Sequence, residues 1–145
     1  MTIKRAGLDH VKEAAHLFNL YRIYYEQKSD MDGAVNFLHE RISNEESVIF
    51  LAYDQEQAVG FTQLYPTFSS VQMKRTWVLN DLFVHGEHRG KGFGEQLVNK
   101  AIEFADSKGA AGVLLETMQD NINAQRLYER IGFKKEENYF YFYKI

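Results

Sequence analysis

Cysteine is absent from the 145-residue chain, and proline occurs once, at Pro66. Without cysteine there can be no disulfide, thiolate nucleophile or thiolate-bound metal. A lone proline leaves no Pro-rich linker, and no repeat or low-complexity tract divides the sequence, so one domain over residues 1–145 is expected. No run approaches the roughly 18 apolar residues of a membrane span. Nor does an apolar stretch follow Met1–Arg5 in the manner of a secretory signal. Excess positive charge is missing too: the formal net charge is −3. Nucleic-acid binders derive most of their affinity from neutralising phosphates, so that class is disfavoured. The expectation is a cytoplasmic protein without nucleic-acid or membrane partners and without a metal.

What is present is apolar and aromatic. Hydrophobic residues make up 45 %, and the chain carries 11 Phe, 9 Tyr and one Trp, enough for a substantial core. A short first strand fits residues 2–6. Val11, Ala14, Ala15, Phe18 and Tyr21 recur at helical spacing over 9–27, and Val35, Leu38 and Ile42 do so over 31–43. Residues 47–53 and 58–65 read as a hairpin closed by Asp54-Gln55-Glu56-Gln57. A strand is expected over 73–84. An amphipathic helix over 93–108 stops at Gly109. A buried strand over 113–117, a helix over 121–131 and an aromatic strand over 133–144 complete the series. The order β-α-α-β-β-β-α-β-α-β implies an α/β (α+β) fold with a mixed, mostly antiparallel sheet flanked by helices.

Chemistry concentrates after the 78–84 strand. There His85-Gly86-Glu87-His88 leads into Arg89-Gly90-Lys91-Gly92-Phe93-Gly94 and directly into the helix. A strand, a glycine loop and a helix N-terminus together bind phosphate, because the first helical amides have no internal partner and carry the positive end of the dipole. Arg89 and Lys91 add charge beside them. The ATP-binding P-loop spacing is absent, and Gly90-x-Gly92-x-Gly94 does not match the dinucleotide fingerprint. The plain alternative is a tight turn with no ligand. Histidine is a common acid-base residue, but His85 and His88 read best as turn residues.

These residues resemble the GNAT superfamily of N-acetyltransferases. Its Gln/Arg-x-x-Gly-x-Gly/Ala motif is matched by Arg89 through Gly94. Its downstream Asn-x-x-Ala-x-x-x-Tyr-x-x-x-Gly-Phe pattern is matched by Asn121, Ala124, Tyr128, Gly132 and Phe133. The resemblance covers about 77–135 closely. His85-Gly86 stands where many members have Asp-Pro, a change confined to a turn.

The resemblance implies acetyl-CoA as co-substrate. Backbone groups of Leu82, Phe83 and Val84 would pair with the pantetheine arm as an added strand. Main-chain amides of Arg89, Gly90, Lys91, Gly92, Phe93 and Gly94 would hold the pyrophosphate, and Asn121 would reach the cofactor arm. Tyr128 would stand near the thioester sulfur; its alternative is a core aromatic in the stripe of Ala124, Leu127 and Ile131.

Acyl transfer to an amine needs a neutral nucleophile and a proton for the leaving thiolate. A lysine-like amine, with a pKa of about 10.4, is almost wholly protonated at pH 7 and needs a base. A tyrosine, with a pKa of about 10, keeps its proton there and can donate it. With no Ser/His/Asp or Cys/His set in evidence, direct attack on the thioester is the simpler mechanism. Asp81 is the candidate base. Strand alternation puts it on one face with Leu79 and Phe83, and a carboxylate there is costly unless paired or useful. A satisfied structural carboxylate, or a water chain carrying the proton, is the competing account.

Tyr24, Tyr25 and Glu26 lie between the first two helices, where this superfamily shapes the acceptor pocket; aromatics with a carboxylate suit a cationic amine, and the plain alternative is a solvated helix end with core tyrosines. Residues 63–70 and 77–84 resemble the histone or polyamine acetyltransferase branch, so small amines, polyamines, amino acids and lysine side chains all stand as acceptors. A non-catalytic acyl-CoA-binding module on the same fold is the alternative function. Tyr139–Tyr143 carries aromatics on both strand faces, which a partner subunit could cover, so a homodimer is expected.

Overall fold

The computed structural model describes residues 1–145. Its elements are β1 (Thr2–Arg5), α1 (Val11–Tyr24), α2 (Met31–Ser43), β2 (Val48–Asp54), β3 (Gln57–Ser69), β4 (Lys74–Val84), α3 (Phe93–Ser107), β5 (Val113–Leu114) and α4 (Ile122–Ile131). Single 3-10 turns at Leu8–His10 and Gly86–His88 lead towards α1 and α3. The sheet runs in the order β1-β2-β3-β4-β5. Neighbours from β1 to β4 are antiparallel; only β4 and β5 are parallel. This is the mixed α/β architecture that the element order implies. No helix is long and apolar enough to cross a membrane.

Helices α1, α2 and α3 each bury an apolar stripe, whereas α4 has no buried residue. α1 places Val11, Ala14, Ala15 and Leu17, and α2 places Ala34 and Leu38, over one sheet face against Ile49, Leu51, Phe61 and Phe83. α3 sets Leu97, Val98, Ala101 and Ala105 against Val48, Phe50, Val59, Leu64 and Leu79 on the other. Asp30 caps α2 by accepting from the Gly33 amide at 2.9 Å. The β2–β3 connection tightens to Gln55-Glu56, with Gln55 in the left-handed region at φ 58°. β3 runs on through Pro66 to Ser69, beyond the expected end at Tyr65.

Two expectations fail. First, Leu79 does not share a face with Asp81. Gln63 pairs with Asp81 but Leu64 pairs with Leu79, so Asn80 is an extra residue in β4. This β-bulge breaks the two-residue alternation. Phe83 and Asp81 point to the α1/α2 side, while Leu79 packs with α3. Second, no strand forms over 133–144. The chain carries no helix or strand after α4, and residues 134–145 are all exposed. A strand needs a neighbour's amides and carbonyls, and β5 itself extends for only two of the five residues expected. Two-faced aromatic character with no neighbour in reach leaves this segment outside the sheet.

Candidate active site

β5 pairs with β4 only at Trp77 and Val78. Beyond Val78 the far side of β4 has no neighbouring strand, and the two parallel strands part. The opening lies beside α3, because β4 leads through the Gly86–His88 turn into the glycine loop. Gly90 (φ 78°) and Gly92 (φ 89°) are both left-handed, a conformation that costs other residues roughly 1–2 kcal/mol. Gly92 is the N-cap of α3, and the first intrahelical donor is the Gln96 amide, bonded to the Gly92 carbonyl at 3.1 Å. The amides of Phe93, Gly94 and Glu95 therefore have no helical acceptor and carry the positive end of the dipole.

Arg89 does not point outward from this loop. Its Nε donates to the Val84 carbonyl at 2.9 Å, and its guanidinium lies over the rings of Tyr24 (5.3 Å) and Phe83 (5.7 Å). The Val84 carbonyl thus faces the parted edge, outside the β3–β4 ladder. Together with the free amides it offers a strand-like polar edge followed by an anion site, which is the donor and acceptor set an acyl-pantetheine diphosphate requires. Gly94 stands close to Leu127 and Val84, seating α4 on the same opening. Asn121 caps α4 by accepting from the Ala124 amide at 3.3 Å.

On the α1/α2 side of β4 lies a polar group within an apolar face. Asp81 is 2 % exposed. Gln63 Nε2 donates to its Oδ2 at 2.5 Å, and Asn80 Nδ2 to its Oδ1 at 2.8 Å. The Tyr21 hydroxyl, 3.5 Å from the Asn80 carbonyl, is also within reach. Burial pushes the Asp81 carboxyl above the usual carboxylate range; the bonds from Gln63, Asn80 and Tyr21 oppose that without cancelling it. The same burial, with Asp81 nearby, raises the phenols of Tyr21 and Tyr65. Tyr25 is raised by burial, then by Tyr24 and Asp81. Tyr128, half-buried and packed on Phe133 at 5.8 Å, is raised by burial and by Tyr25. The phenols of Tyr21, Tyr25 and Tyr65 therefore surround one buried carboxyl, with Tyr128 joined to the group through Tyr25. Gln63 Oε1 is buried there and has no donor.

The fold thus gathers Asp81, Tyr24, Tyr25 and Tyr128 around the end of α1 and the parted strands. Glu26 is exposed and left-handed (φ 64°), and its carboxylate makes no hydrogen bond or ion pair. Gln63 and Tyr65 were not singled out as site residues in the sequence reading. Gln63 and Tyr65 share a face of β3 with the buried Phe61, and a glutamine amid such a strand was the available signal. His85 and His88 sit in the turn as expected, with His88 Nε2 3.6 Å from Asp54. No three His, Asp or Glu side chains lie close enough together to hold a metal.

Known proteins share this chain's fold and sequence pattern. The sequence profile of the acetyltransferase (GNAT) family matches residues 12–133. The chain is 44 % identical to a Bacillus subtilis (strain 168) protein named uncharacterized N-acetyltransferase YhfO, covering 98 % of this chain and 95 % of that one. It is 34 % identical to a probable acetyltransferase of Haemophilus influenzae, covering 92 % and 90 %. A crystal structure of a probable acetyltransferase, 38 % identical, superposes with a TM-score of 0.95 over 100 % of this chain and 98 % of that one. An aminoglycoside acetyltransferase from a soil metagenome shares the fold alone, at 20 % identity and a TM-score of 0.86 over 99 % and 95 %. On the profile match, the relatives and the superposition, the chain belongs to the GNAT family of acetyltransferases.

Proposed function

We propose that residues 1–145 form one N-acetyltransferase domain that uses acetyl-CoA to acetylate a primary amine, on a small molecule or a peptide. The observation that carries this reading is the outward-facing Val84 carbonyl of β4, held by Arg89 rather than by a strand, running into the unpartnered amides of α3. Leu82, Phe83 and Val84 offer backbone groups to the pantetheine arm. The amides from Arg89 to Gly94 hold the pyrophosphate, and Asn121 borders the arm from α4. Arg89 leaves the Val84 carbonyl when the cofactor takes its place.

Acetyl-CoA supplies the activated acyl group. The amine nitrogen attacks the thioester carbonyl carbon, and a C–N bond forms as the C–S bond breaks. The proton lost by the amine passes to the Asp81 carboxylate, directly or through water. A raised Asp81 pKa suits this work, because it brings the base closer to the pKa of the group it deprotonates. Tyr128, kept protonated by burial, donates its phenolic proton to the departing thiolate.

The acceptor enters among Tyr21, Tyr24, Tyr25 and Tyr65. Their ring faces favour an ammonium, and burial helps strip its proton. Gln63 Oε1 offers the incoming amine an acceptor; leaving such an atom unpaired costs about 1–3 kcal/mol in the free protein. The protein acts as a homodimer, for which the exposed aromatic tail is the support.

The test is thiol release from acetyl-CoA across polyamines, amino acids, aminoglycosides and lysine peptides, run beside calorimetric titration with acetyl-CoA. Turnover with some amine is expected. Binding without turnover on every amine would favour an acyl-CoA-binding module, and no binding would defeat both readings.

A further inference from the structure

Asp81 is a buried carboxyl with no cation beside it. It is 2 % exposed, and none of the protein's ion pairs involves it. The groups that face it are phenols and amides: Tyr21 from α1, Tyr25 from the end of that helix, Gln63 and Tyr65 from β3, and Asn80 from its own strand. Arg41 of α2 acts on Tyr65, one step further out. A charge taken out of water without a counter-ion depends on the donors that hydrogen-bond to it.

Those donors are not equivalent. Asn80 is the extra residue of the bulge, and it is exposed. Gln63 is wholly sealed, at 0 % exposure, and stands directly across the ladder from Asp81. Beside it, Thr62 Oγ1 donates to the Asp81 carbonyl at 2.8 Å, so β3 fixes both the main chain and the side chain of Asp81. An amide can turn about its last bond to present either its nitrogen or its oxygen. Here the nitrogen faces Oδ2 at 2.5 Å, and the oxygen is left buried with no donor. A charge-assisted bond to an ionised oxygen, roughly twice as strong as a neutral one, offsets that unpaired atom.

We propose that Gln63 is a positioning residue for Asp81: it closes Oδ2, so that the proton from the acceptor amine is taken at Oδ1, and it holds the carboxyl in the ionised form that takes it. This deepens the proposed reaction and rests on Asp81 as its base. Oδ1 is the open oxygen, because its partner, Asn80 Nδ2 at 2.8 Å, belongs to an exposed side chain that water or substrate can replace. One N–H bond of the acceptor ammonium breaks as one O–H bond forms at Oδ1. The carboxyl later returns that proton to water, and Gln63 gains and loses none.

The pH profile of kcat at saturating acetyl-CoA and amine tests this on the full chain, with Gln63→Met and Gln63→Glu. Methionine keeps the length of the side chain and removes the donor. Glutamate keeps its shape but sets a second carboxyl against the first, and like charges raise one of the two. The ascending limb should move to higher pH in the order wild type, Gln63→Met, Gln63→Glu. At a fixed pH on that limb, Gln63→Met should lower kcat about tenfold. The Kd for acetyl-CoA should stay within about twofold. A lower kcat with an unmoved limb would make Gln63 a structural residue and overturn the proposal, as would any other order of the limbs. Asp81→Asn separates this inference from the reading beneath it. If that variant keeps the limb, Asp81 is not the base and both fall. If it loses the limb while both Gln63 variants titrate as wild type, this inference alone falls. Should neither Gln63 variant fold, the side-chain amide resonances of Gln63 in the wild type decide. They should shift with the midpoint of the limb, and resonances flat across that range would overturn the proposal.

Discussion

The two sides of β4 are built from different materials. The side facing the parted strands presents main chain: the Val84 carbonyl, the left-handed glycines and the first amides of α3. The α1/α2 side presents side chains: Asp81, Gln63 and the ring of tyrosines. A backbone site tolerates many side chains but few changes of conformation, so it leaves glycines at fixed spacing. A side-chain site can be assembled from any strands and helices that meet, so it leaves no spacing at all. In the proposed function the first takes the cofactor and the second the acceptor.

If that division is right, the largest effect should come from changing backbone conformation at the loop. Gly92→Asp forces a left-handed residue and adds a negative charge where the proposed function puts the pyrophosphate. Acetyl-CoA affinity should fall about 100-fold, near 2.7 kcal/mol, by calorimetry. An unchanged Kd would mean that the loop does not carry the cofactor. Tyr128→Phe comes next, with kcat lowered about 100-fold and cofactor binding intact. An equal loss in cofactor affinity would move Tyr128 from proton donor to binding group.

Asp81→Asn should separate function from stability. The carboxyl ionises at higher pH in the fold than in the unfolded chain, where the ordinary value is 3.8. Its ionisation therefore weakens the fold as pH rises from that value through the raised one, and the penalty is fully present above it. Removing the charge should raise Tm at neutral pH, by roughly 2–4 °C for each kcal/mol relieved. It should leave Tm almost unchanged at pH 3. The rate should drop, and the ascending limb of the wild-type pH profile should vanish from what remains. A variant with lower Tm and an unaltered pH profile would make Asp81 a structural carboxylate.

The smallest effect belongs to Tyr24→Leu. It removes one face of the Arg89 stack, worth about 0.5–1 kcal/mol at an exposed site. A change of no more than about fivefold in the KM of either substrate is expected. An amine KM that does not move at all would remove Tyr24 from the acceptor site.

The reading of this chain divides along the same line. Helix stripes such as Val11, Ala14 and Ala15, or Leu97, Val98 and Ala101, were legible because local spacing fixes which face is buried. Asn80 was not, because a bulge depends on which residue of β3 lies opposite. That single insertion turned Leu79 to the other face and put Asp81 beside Gln63. The strand expected over 133–144 failed for a related reason: alternation shows that a segment could pair but not whether a neighbour is there to receive it.

By itself, then, the sequence determined the helices, the hairpin, the glycine loop and the family they mark. These rest on local periodicity and on the few residues that allow left-handed backbone. The tertiary structure alone decided which phenols surround Asp81, that Arg89 caps the Val84 carbonyl, and that the aromatic arm stands away from its own sheet. Those outcomes depend on contacts between residues far apart in the chain, which no local pattern encodes.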